Sequence, residues 1–182
     1  MAKVVVMLAE GFEEIEGLTV VDLLRRAEVE VNMVSITGNL FVTGSHNIMV
    51  KADTLLEEET FDETDMIVLP GGMPGTKHLG EHYQVISLLK EFYEKDKYIA
   101  AICAAPSILG LNGLLKGKKA TSFPSFRDKL LEATVVDEKS IIDGKIITSK
   151  GMGTAIDFSL DLIKILKDKE TSDNIGKSIQ YL

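Results

Sequence analysis

The chain has 182 residues, of which 45% are hydrophobic and 26% are charged, and its formal net charge is -8. This composition is near the globular average and excludes disordered and fibrous classes, and the negative charge disfavours direct binding of nucleic acid. The longest apolar runs fall far short of the ~20 residues that a membrane helix needs, so we expect no membrane span. A single cysteine forms no internal disulfide, and no secretion signal is evident. We therefore expect one cytoplasmic domain over residues 1–182.

Apolar strands alternate with amphipathic helices along the chain. Residues 2–9 contain an unbroken apolar run from Val4 to Leu8, typical of a buried parallel strand, and residues 14–26 repeat apolar side chains at helical spacing. A shorter, more polar stretch at 41–54, with a turn at 45–47, predicts a small inserted hairpin. Further strands are predicted at 29–36, 66–69, 98–103, 120–123 and 146–148, and further helices at 83–93 and 155–166. This alternation predicts an α/β fold with a mostly parallel central sheet.

The only cysteine, Cys103, ends a predicted strand and has the small neighbours Ala101, Ala104 and Ala105. This pattern is typical of a nucleophile elbow, in which a strained turn residue projects its side chain into a cleft above the sheet. The following helix would favour the thiolate, which is the reactive form. Free cysteines are also among the most buried residues and often act as small hydrophobes, and the position of Cys103 fits that interpretation equally well.

Three carboxylates, Glu13, Glu14 and Glu16, surround the start of the first predicted helix. Acidic side chains in a first turn complement the helix dipole by roughly 0.3 to 1 kcal/mol each, so at least two of them need no function. A carboxyl beside a thiolate would keep its proton and donate a hydrogen bond to sulfur. Glu16 is our candidate for that role, although the sequence does not separate it from Glu14.

Glycines follow two other predicted strands. The run of residues 70–75 contains Gly71 and Gly72, whose N–H groups could help to form an oxyanion hole, with Gly72 and Ala104 as the expected donors. A plain turn is the more frequent use of such a run. The segment from Gly151 to Gly153 is a second anion-friendly turn, but Ile156 replaces the final small residue of a dinucleotide fingerprint. Residues 71–77 lack the spacing of a nucleotide-phosphate loop. We expect no cofactor.

The three histidines are His46, His78 and His82. The last two are four residues apart and could share a helical face, but no glutamate follows His78 as metalloprotease chemistry requires. We therefore expect a solvated pair and no metal site. No histidine is adjacent to Cys103 in sequence, so a cysteine-histidine dyad is left open.

Four motifs together resemble the ThiJ/PfpI superfamily, most closely the branch of the Parkinsonism-associated protein deglycase and bacterial YajL: GFEEIE at 11–16, VLPGG at 68–72, AAICAAP at 100–106 and TSKGMGT at 148–154. The resemblance runs almost end to end. It implies a flavodoxin-like three-layer α/β sandwich, a homodimer, Cys103 as an easily oxidised nucleophile, Glu16 as its protonated partner, and Gly72 with Ala104 as oxyanion donors. The implied pocket also contains Gly71, His46, Phe123, Pro124, Gly151 and Gly153.

The chain departs from family patterns at three positions. Ala104 stands where the intracellular protease branch has a histidine, which argues against peptidase chemistry. Phe123 precedes Pro124 where animal deglycase-like members carry a pocket histidine, so we expect a more apolar pocket. His46 replaces an arginine of related proteins, which weakens the expectation of tight anion binding.

We therefore expect a cysteine-dependent glyoxalase or deglycase that acts on methylglyoxal-like α-oxoaldehydes or on their early thiol and amine adducts. A second hypothesis makes the protein a redox sensor or chaperone through oxidation of Cys103, with a role in oxidative stress. A third is a cysteine hydrolase or amidotransferase, for which a histidine would have to reach the sulfur.

Overall fold

The computed structural model describes residues 1–182. It contains six α-helices, eleven strands and two 3₁₀ turns, at 124–129 and 152–154. The elements in chain order are β1 Lys3–Leu8, α1 Glu14–Arg26, β2 Glu30–Ser35, β3 Phe41–Thr43, β4 Met49–Lys51, β5 Thr54–Leu55, β6 Met66–Leu69, α2 Gly75–Glu81, α3 Tyr83–Glu94, β7 Tyr98–Ile102, α4 Pro106–Leu111, β8 Lys119–Ala120, β9 Thr134–Val135, β10 Ser140–Asp143, β11 Ile146–Ser149, α5 Ala155–Leu166 and α6 Lys169–Ser178.

A seven-stranded sheet forms the centre, in the order β10-β11-β7-β6-β1-β2-β5. All neighbouring strands are parallel except the edge pair β10 and β11. The parallel strands are buried because helices cover both faces of the sheet. This explains the continuous apolar run from Val4 to Leu8 in β1. The predicted α/β class with a mostly parallel sheet is confirmed.

Successive side chains of a strand point to opposite faces, and this divides the core into two clusters. On β1, Val4, Val6 and Leu8 pack with the buried faces of α1 and α5. Val5 and Met7 pack on the other face, with buried residues of α2, α3 and α4. The result is the three-layer, flavodoxin-like sandwich that the resemblance implied.

The predicted hairpin is present, whereas one predicted strand is wrong. β3 and β4 pair antiparallel, with Val42 opposite Val50, and form a separate small ladder. The segment 120–123 is not a strand of the central sheet: only Lys119–Ala120 forms a strand, and it pairs with β9 in a separate two-stranded ladder. After Ala120 the backbone N–H groups find partners outside a strand ladder. Thr121 N donates to Thr148 Oγ1 at 3.0 Å, and Phe123 N donates to Cys103 O at 2.8 Å. These bonds bring the segment against the end of β7.

The order of strands reverses beside β1, because β2 lies on one side of it while β6, β7 and β11 lie on the other. Ligands of such sheets bind beyond the carboxyl ends of the strands near this reversal. The turns after β1, β6, β7 and β11 meet at that edge. No helix of the structure has both the length and the apolar character that a membrane crossing requires.

Candidate active site

Cys103 occupies a strained turn directly after β7. Its φ angle is 65°, in the left-handed region that side-chain-bearing residues rarely adopt. Two backbone hydrogen bonds hold it there: Cys103 N donates to Ser149 O at 2.9 Å, and Cys103 O accepts from Phe123 N at 2.8 Å. The flanking Ala104 is buried, while Cys103 itself is only partly buried. The turn therefore has the geometry of a nucleophile elbow, with a sulfur that is not sealed in the core.

Glu16 lies in the first turn of α1 and is 1% exposed. Its Oε2 accepts a hydrogen bond from Gly71 N at 2.9 Å. The other oxygen, Oε1, is buried and has no N–H or O–H partner. This oxygen lies near the sulfur: a methyl group placed on Gly151 would be 3.7 Å from both Glu16 Oε1 and Cys103 Sγ, and a hydrogen bond between the two side chains contributes to the pKa shift of each. The structure thus brings Glu16 and Cys103 together across the sheet edge.

Gly71 is the residue over which this pair packs. A Cβ at Gly71 would lie 2.6 Å from Cys103 Cβ and 2.6 Å from Glu16 Oε2, closer than real side-chain contacts allow. The absence of a side chain therefore lets the acid and the thiol approach one another while Gly71 N binds the carboxyl. This steric role explains the glycine more fully than a plain turn does.

The pair titrates far from the ordinary values of its two groups. Burial raises the pKa of Glu16 to about 7, against the opposing effect of its hydrogen bonds. Burial, together with the charge of Glu16 and a hydrogen bond to it, raises the pKa of Cys103 to about 12. The expectation that the following helix lowers the thiol pKa is therefore wrong, because α4 begins only at Pro106 and is too short to outweigh desolvation.

At pH values between about 7 and about 12, Glu16 and Cys103 together hold one proton. A thiol with a carboxylate and a thiolate with a carboxylic acid are two arrangements of that same proton, so the titration belongs to the pair. An acid with a pKa near neutrality, beside a thiol, has the properties of a general base for that thiol.

Two backbone N–H groups oppose the effect of burial on the thiol. The backbone N–H groups of Ala104 and Gly72 lower the pKa of Cys103, so both lie close to the sulfur. Neither N–H donates to a backbone carbonyl. Gly72 has a φ angle of 89°, which only glycine adopts easily. These two donors can stabilise negative charge on the sulfur or on an oxygen bonded next to it.

The remaining pocket candidates differ in how close they come to the sulfur. Phe123 and Gly151 lie beside Cys103. A Cβ on Gly151 would be 3.7 Å from Cys103 Sγ and 3.5 Å from the ring of Phe123, a residue that is 47% exposed. Pro124 begins the 3₁₀ turn that follows Phe123. A Cβ on Gly153 would meet nothing within 4 Å, so this glycine borders open space.

A pair of hydroxyls that was not predicted from the sequence holds the loop that contains Gly151 and Gly153. Ser149 Oγ and Thr154 Oγ1 lie 2.7 Å apart, and Gly151 N donates to Thr154 Oγ1 at 3.2 Å. Ser149 also supplies the carbonyl that binds Cys103 N. The signal was a threonine three residues after Gly151, whose hydroxyl accepts from Gly151 N as the N3 side chain of a capping box does.

Glu14 serves the hairpin rather than the thiol. Its Oε1 accepts from His46 N at 2.8 Å and from Ile48 N at 3.4 Å, while His46 Nδ1 lies 3.1 Å from Oε2. Burial opposes ionisation of Glu14, but these hydrogen bonds and that of its own N–H lower its pKa overall. The hydrogen bond to Glu14, reinforced by the charge of Glu13, raises the pKa of His46. The structure thereby distinguishes Glu14 from Glu16.

The donor atoms of Glu13, Glu14 and His46 lie within 4.8 Å of one another, the only such group of three in the chain. His46 Nδ1 lies 3.4 Å from Glu13 Oε2 and 3.1 Å from Glu14 Oε2, and these contacts fasten the β3–β4 turn to the start of α1. His78 Nδ1 lies 3.0 Å from Glu10 O, and the helix carrying it ends at Glu81. His78 and His82 therefore do not share one continuous helix.

A cysteine on a strained turn at the carboxyl edge of a doubly wound sheet defines an α/β protein with a nucleophile elbow. The model of the DJ-1/PfpI family matches residues 2–165. The chain belongs to this family, as its motifs indicated.

Individual relatives agree with this assignment. A Pyrococcus abyssi protein named a deglycase is 32% identical over 91% of this chain and 99% of its own length. Arabidopsis thaliana protein DJ-1 homolog A is 37% identical over 97% of this chain. The matched region is only 45% of the length of that relative. The solved structure of oxidised Toxoplasma gondii DJ-1 superposes with a TM-score of 0.96 at 37% identity, covering 100% of this chain and 99% of that one.

Proposed function

We propose that the protein is a cofactor-independent, cysteine-dependent glyoxalase or deglycase that converts methylglyoxal-like α-oxoaldehydes, free or released from early thiol and amine adducts, to 2-hydroxy acids. The observation that carries the proposal is the meeting of Cys103 with Glu16 beside two backbone N–H groups, those of Gly72 and Ala104. A relative named a deglycase supports it.

The reaction begins with proton transfer from the Cys103 thiol to the Glu16 carboxylate as sulfur adds to the aldehyde carbon. A C–S bond forms, the carbonyl π electrons move to oxygen, and the Gly72 and Ala104 N–H groups stabilise the oxyanion. Glu16 then gives its proton to that oxygen and becomes a base again.

A proton shift and hydrolysis complete the turnover. The Glu16 carboxylate removes the proton from the carbon bonded to sulfur and, through an enediol, returns a proton to the neighbouring carbon. The product is a thioester of lactate on Cys103. Water cleaves the C–S bond and releases lactate, so that the net change is the addition of one water to methylglyoxal.

Lactate production from methylglyoxal tests the proposal directly. We expect turnover by the wild type and none by Cys103→Ala, in a buffer free of amines and thiols. A far-ultraviolet circular dichroism spectrum that matches the wild type shows that the variant is folded. Equal lactate yields from both proteins would rule out the mechanism.

A second function, redox sensing, is favoured by the partial exposure of Cys103 next to three hydrogen-bond donors. Peroxide would convert the thiol to sulfinic acid, whose oxygens Glu16, Gly72 and Ala104 could bind. Intact-mass measurement during graded peroxide treatment checks this. Selective gain of two oxygens, combined with no consumption of aldehyde by the reduced protein, would favour the sensor over the enzyme. Hydrolase chemistry ranks last, because Glu14 and Glu10 hold the rings of His46 and His78.

We also propose a homodimer, as the resemblance implied. Ile15 on α1 and Ile48 and Met49 on the hairpin are each at least 50% exposed. Glu14 joins these two elements, so a second copy could cover the three side chains together. Sedimentation equilibrium is expected to give twice the chain mass of 19.9 kDa.

A further inference from the structure

A cavity of about 350 Å³ lies between α2, α4 and the 3₁₀ turn of residues 124–129. The residues that line it include the apolar Met73, Ile108 and Phe126 and the basic Lys77 and Lys129. Since a water molecule takes up about 30 Å³ of liquid, this space could hold a molecule of roughly ten non-hydrogen atoms. An amino acid or a small thiol derivative has that size.

The cavity borders the two turns that carry Gly72 and Ala104, while Cys103 and Glu16 themselves do not line it. Met73, on one wall, directly follows the oxyanion donor Gly72, and consecutive Cα atoms are only ~3.8 Å apart. Ser107, on another wall, donates from Oγ to Ala104 O at 2.6 Å. A group bound in the cavity would therefore lie beside the turns that carry the two N–H donors.

The charge of this region is opposite to that of the chain as a whole. Two lysines and one acid, Glu81, line the cavity in a protein with a net charge of -8. The Lys77 amine is 3.9 Å from Glu81, a long ion pair. The Lys129 amine forms no ion pair and lies 4.9 Å from the centre of the Phe126 ring. The cavity therefore offers a cation to an anionic ligand.

One buried polar group of the wall has no partner. Thr76 is 4% exposed, and its Oγ1 forms no hydrogen bond within the protein. Unsatisfied buried hydroxyls are uncommon because they lose their hydration without compensation. The Thr76 hydroxyl is covered by the protein, so the wall offers a ligand an apolar surface and an unpaired cation, which are features of a small-molecule site.

We infer that this cavity binds the carboxylate-bearing carrier of an oxoaldehyde adduct, that is, the small thiol or amine to which the aldehyde has added. This inference rests on the proposed function and specifies its substrate. In a bound hemithioacetal the hydroxyl proton passes to the departing sulfur, the C–S bond breaks and the aldehyde C=O re-forms beside Cys103. The carrier stays in the cavity while Cys103 captures the aldehyde.

Binding to the Cys103→Ala variant tests the inference without catalysis. The probes are S-(2-oxopropyl)-N-acetylcysteine and its carboxamide, stable thioethers that differ only in the carboxylate. Titration calorimetry is expected to show at least fivefold tighter binding of the acid. The preference should disappear when Lys77→Met and Lys129→Met are added, and should persist when the exposed Lys90→Met and Lys164→Met are added as the matched control. Equal affinity for acid and amide, or a preference that survives Lys77→Met and Lys129→Met, would overturn the inference.

Gly80 offers a second, steric test of the same cavity. It lies on the cavity wall, and an added Cβ would meet only Ile108 atoms, at 3.4 and 3.9 Å. Gly80→Leu should fill the space and abolish binding of the acid probe, while Gly80→Ala should retain it. Retained binding in a folded Gly80→Leu protein would contradict the inference. If lactate formation from free methylglyoxal fails but these binding results hold, the proposed reaction is wrong and the site remains.

Discussion

Glu16 Oε1 and Cys103 Sγ face the same point in the cleft, beside the bare Cα of Gly151. One comes from the first turn of α1 and the other from the end of β7, so the fold alone makes them neighbours. Because both groups are largely removed from water, neither ionises at its ordinary pH. This shared titration leads to the following predictions.

Glu16→Gln should change how stability depends on pH. Burial raises the pKa of folded Glu16 from 4.5 to about 7, so the folded state binds this proton more tightly than the unfolded state. The stability that Glu16 contributes is then fully present below pH 4.5 and is lost as pH rises through 7. Relative to Glu16→Gln, the wild type should lose on the order of 3 kcal/mol across this window, as measured by urea unfolding. Glu58→Gln, at an exposed position, should show no such trend.

The pH dependence of Cys103 alkylation should follow the shared titration of Glu16 and Cys103. We expect the iodoacetamide rate of the wild type to rise with an inflection near pH 7, where the pair loses its first proton. In Glu16→Gln no acid remains to accept the thiol proton, and burial should move the inflection above 9. Superimposable pH profiles for the two proteins would show that Glu16 does not control the thiol.

Gly71→Ala should disable the site by steric conflict. The new methyl group would lie 2.6 Å from both Cys103 Cβ and Glu16 Oε2, so the two groups must separate. We expect lactate formation to fall at least a hundredfold, since small misplacements of catalytic groups have large effects on rate. Gly153→Ala is the matched control, because its methyl group would meet open space, and it should keep most of the activity.

Glu14→Ala should weaken the attachment of the hairpin to α1. The buried carboxylate accepts hydrogen bonds from His46 N and Ile48 N, and a Cβ on Gly44 would lie only 2.2 Å from Glu14 Cδ. Removing it leaves a tightly packed turn without its acceptors, and we expect a loss of about 2 to 4 kcal/mol in urea unfolding. His46→Ala removes only a ring whose side chain is 68% exposed and should stay within ~1 kcal/mol of the wild type. A greater loss in His46→Ala than in Glu14→Ala would contradict this account.

Local patterns predicted much of the fold. Continuous apolar strands and helical periodicity depend on neighbouring residues, so β1, α1 and α5 were predicted with bounds within one or two residues of the structure. The strand at 120–123 was wrong because its apolar residues serve the elbow: Phe123 N binds Cys103 O in place of a ladder partner. The strand propensity of a residue carries no information about a hydrogen-bond partner that is distant in sequence.

The sequence by itself determined the family, the elbow cysteine and the glycine turns, since small residues beside a cysteine and paired glycines are legible as local steric requirements. Only the tertiary structure decided that Glu16 faces the sulfur while Glu14 holds the hairpin, because residues two apart on a helix point in different directions. The tertiary structure also decided that the pKa of the Cys103 thiol is raised and not lowered. Desolvation depends on everything packed around an atom, and in this cleft it outweighs the short helix that the sequence suggested would ionise Cys103.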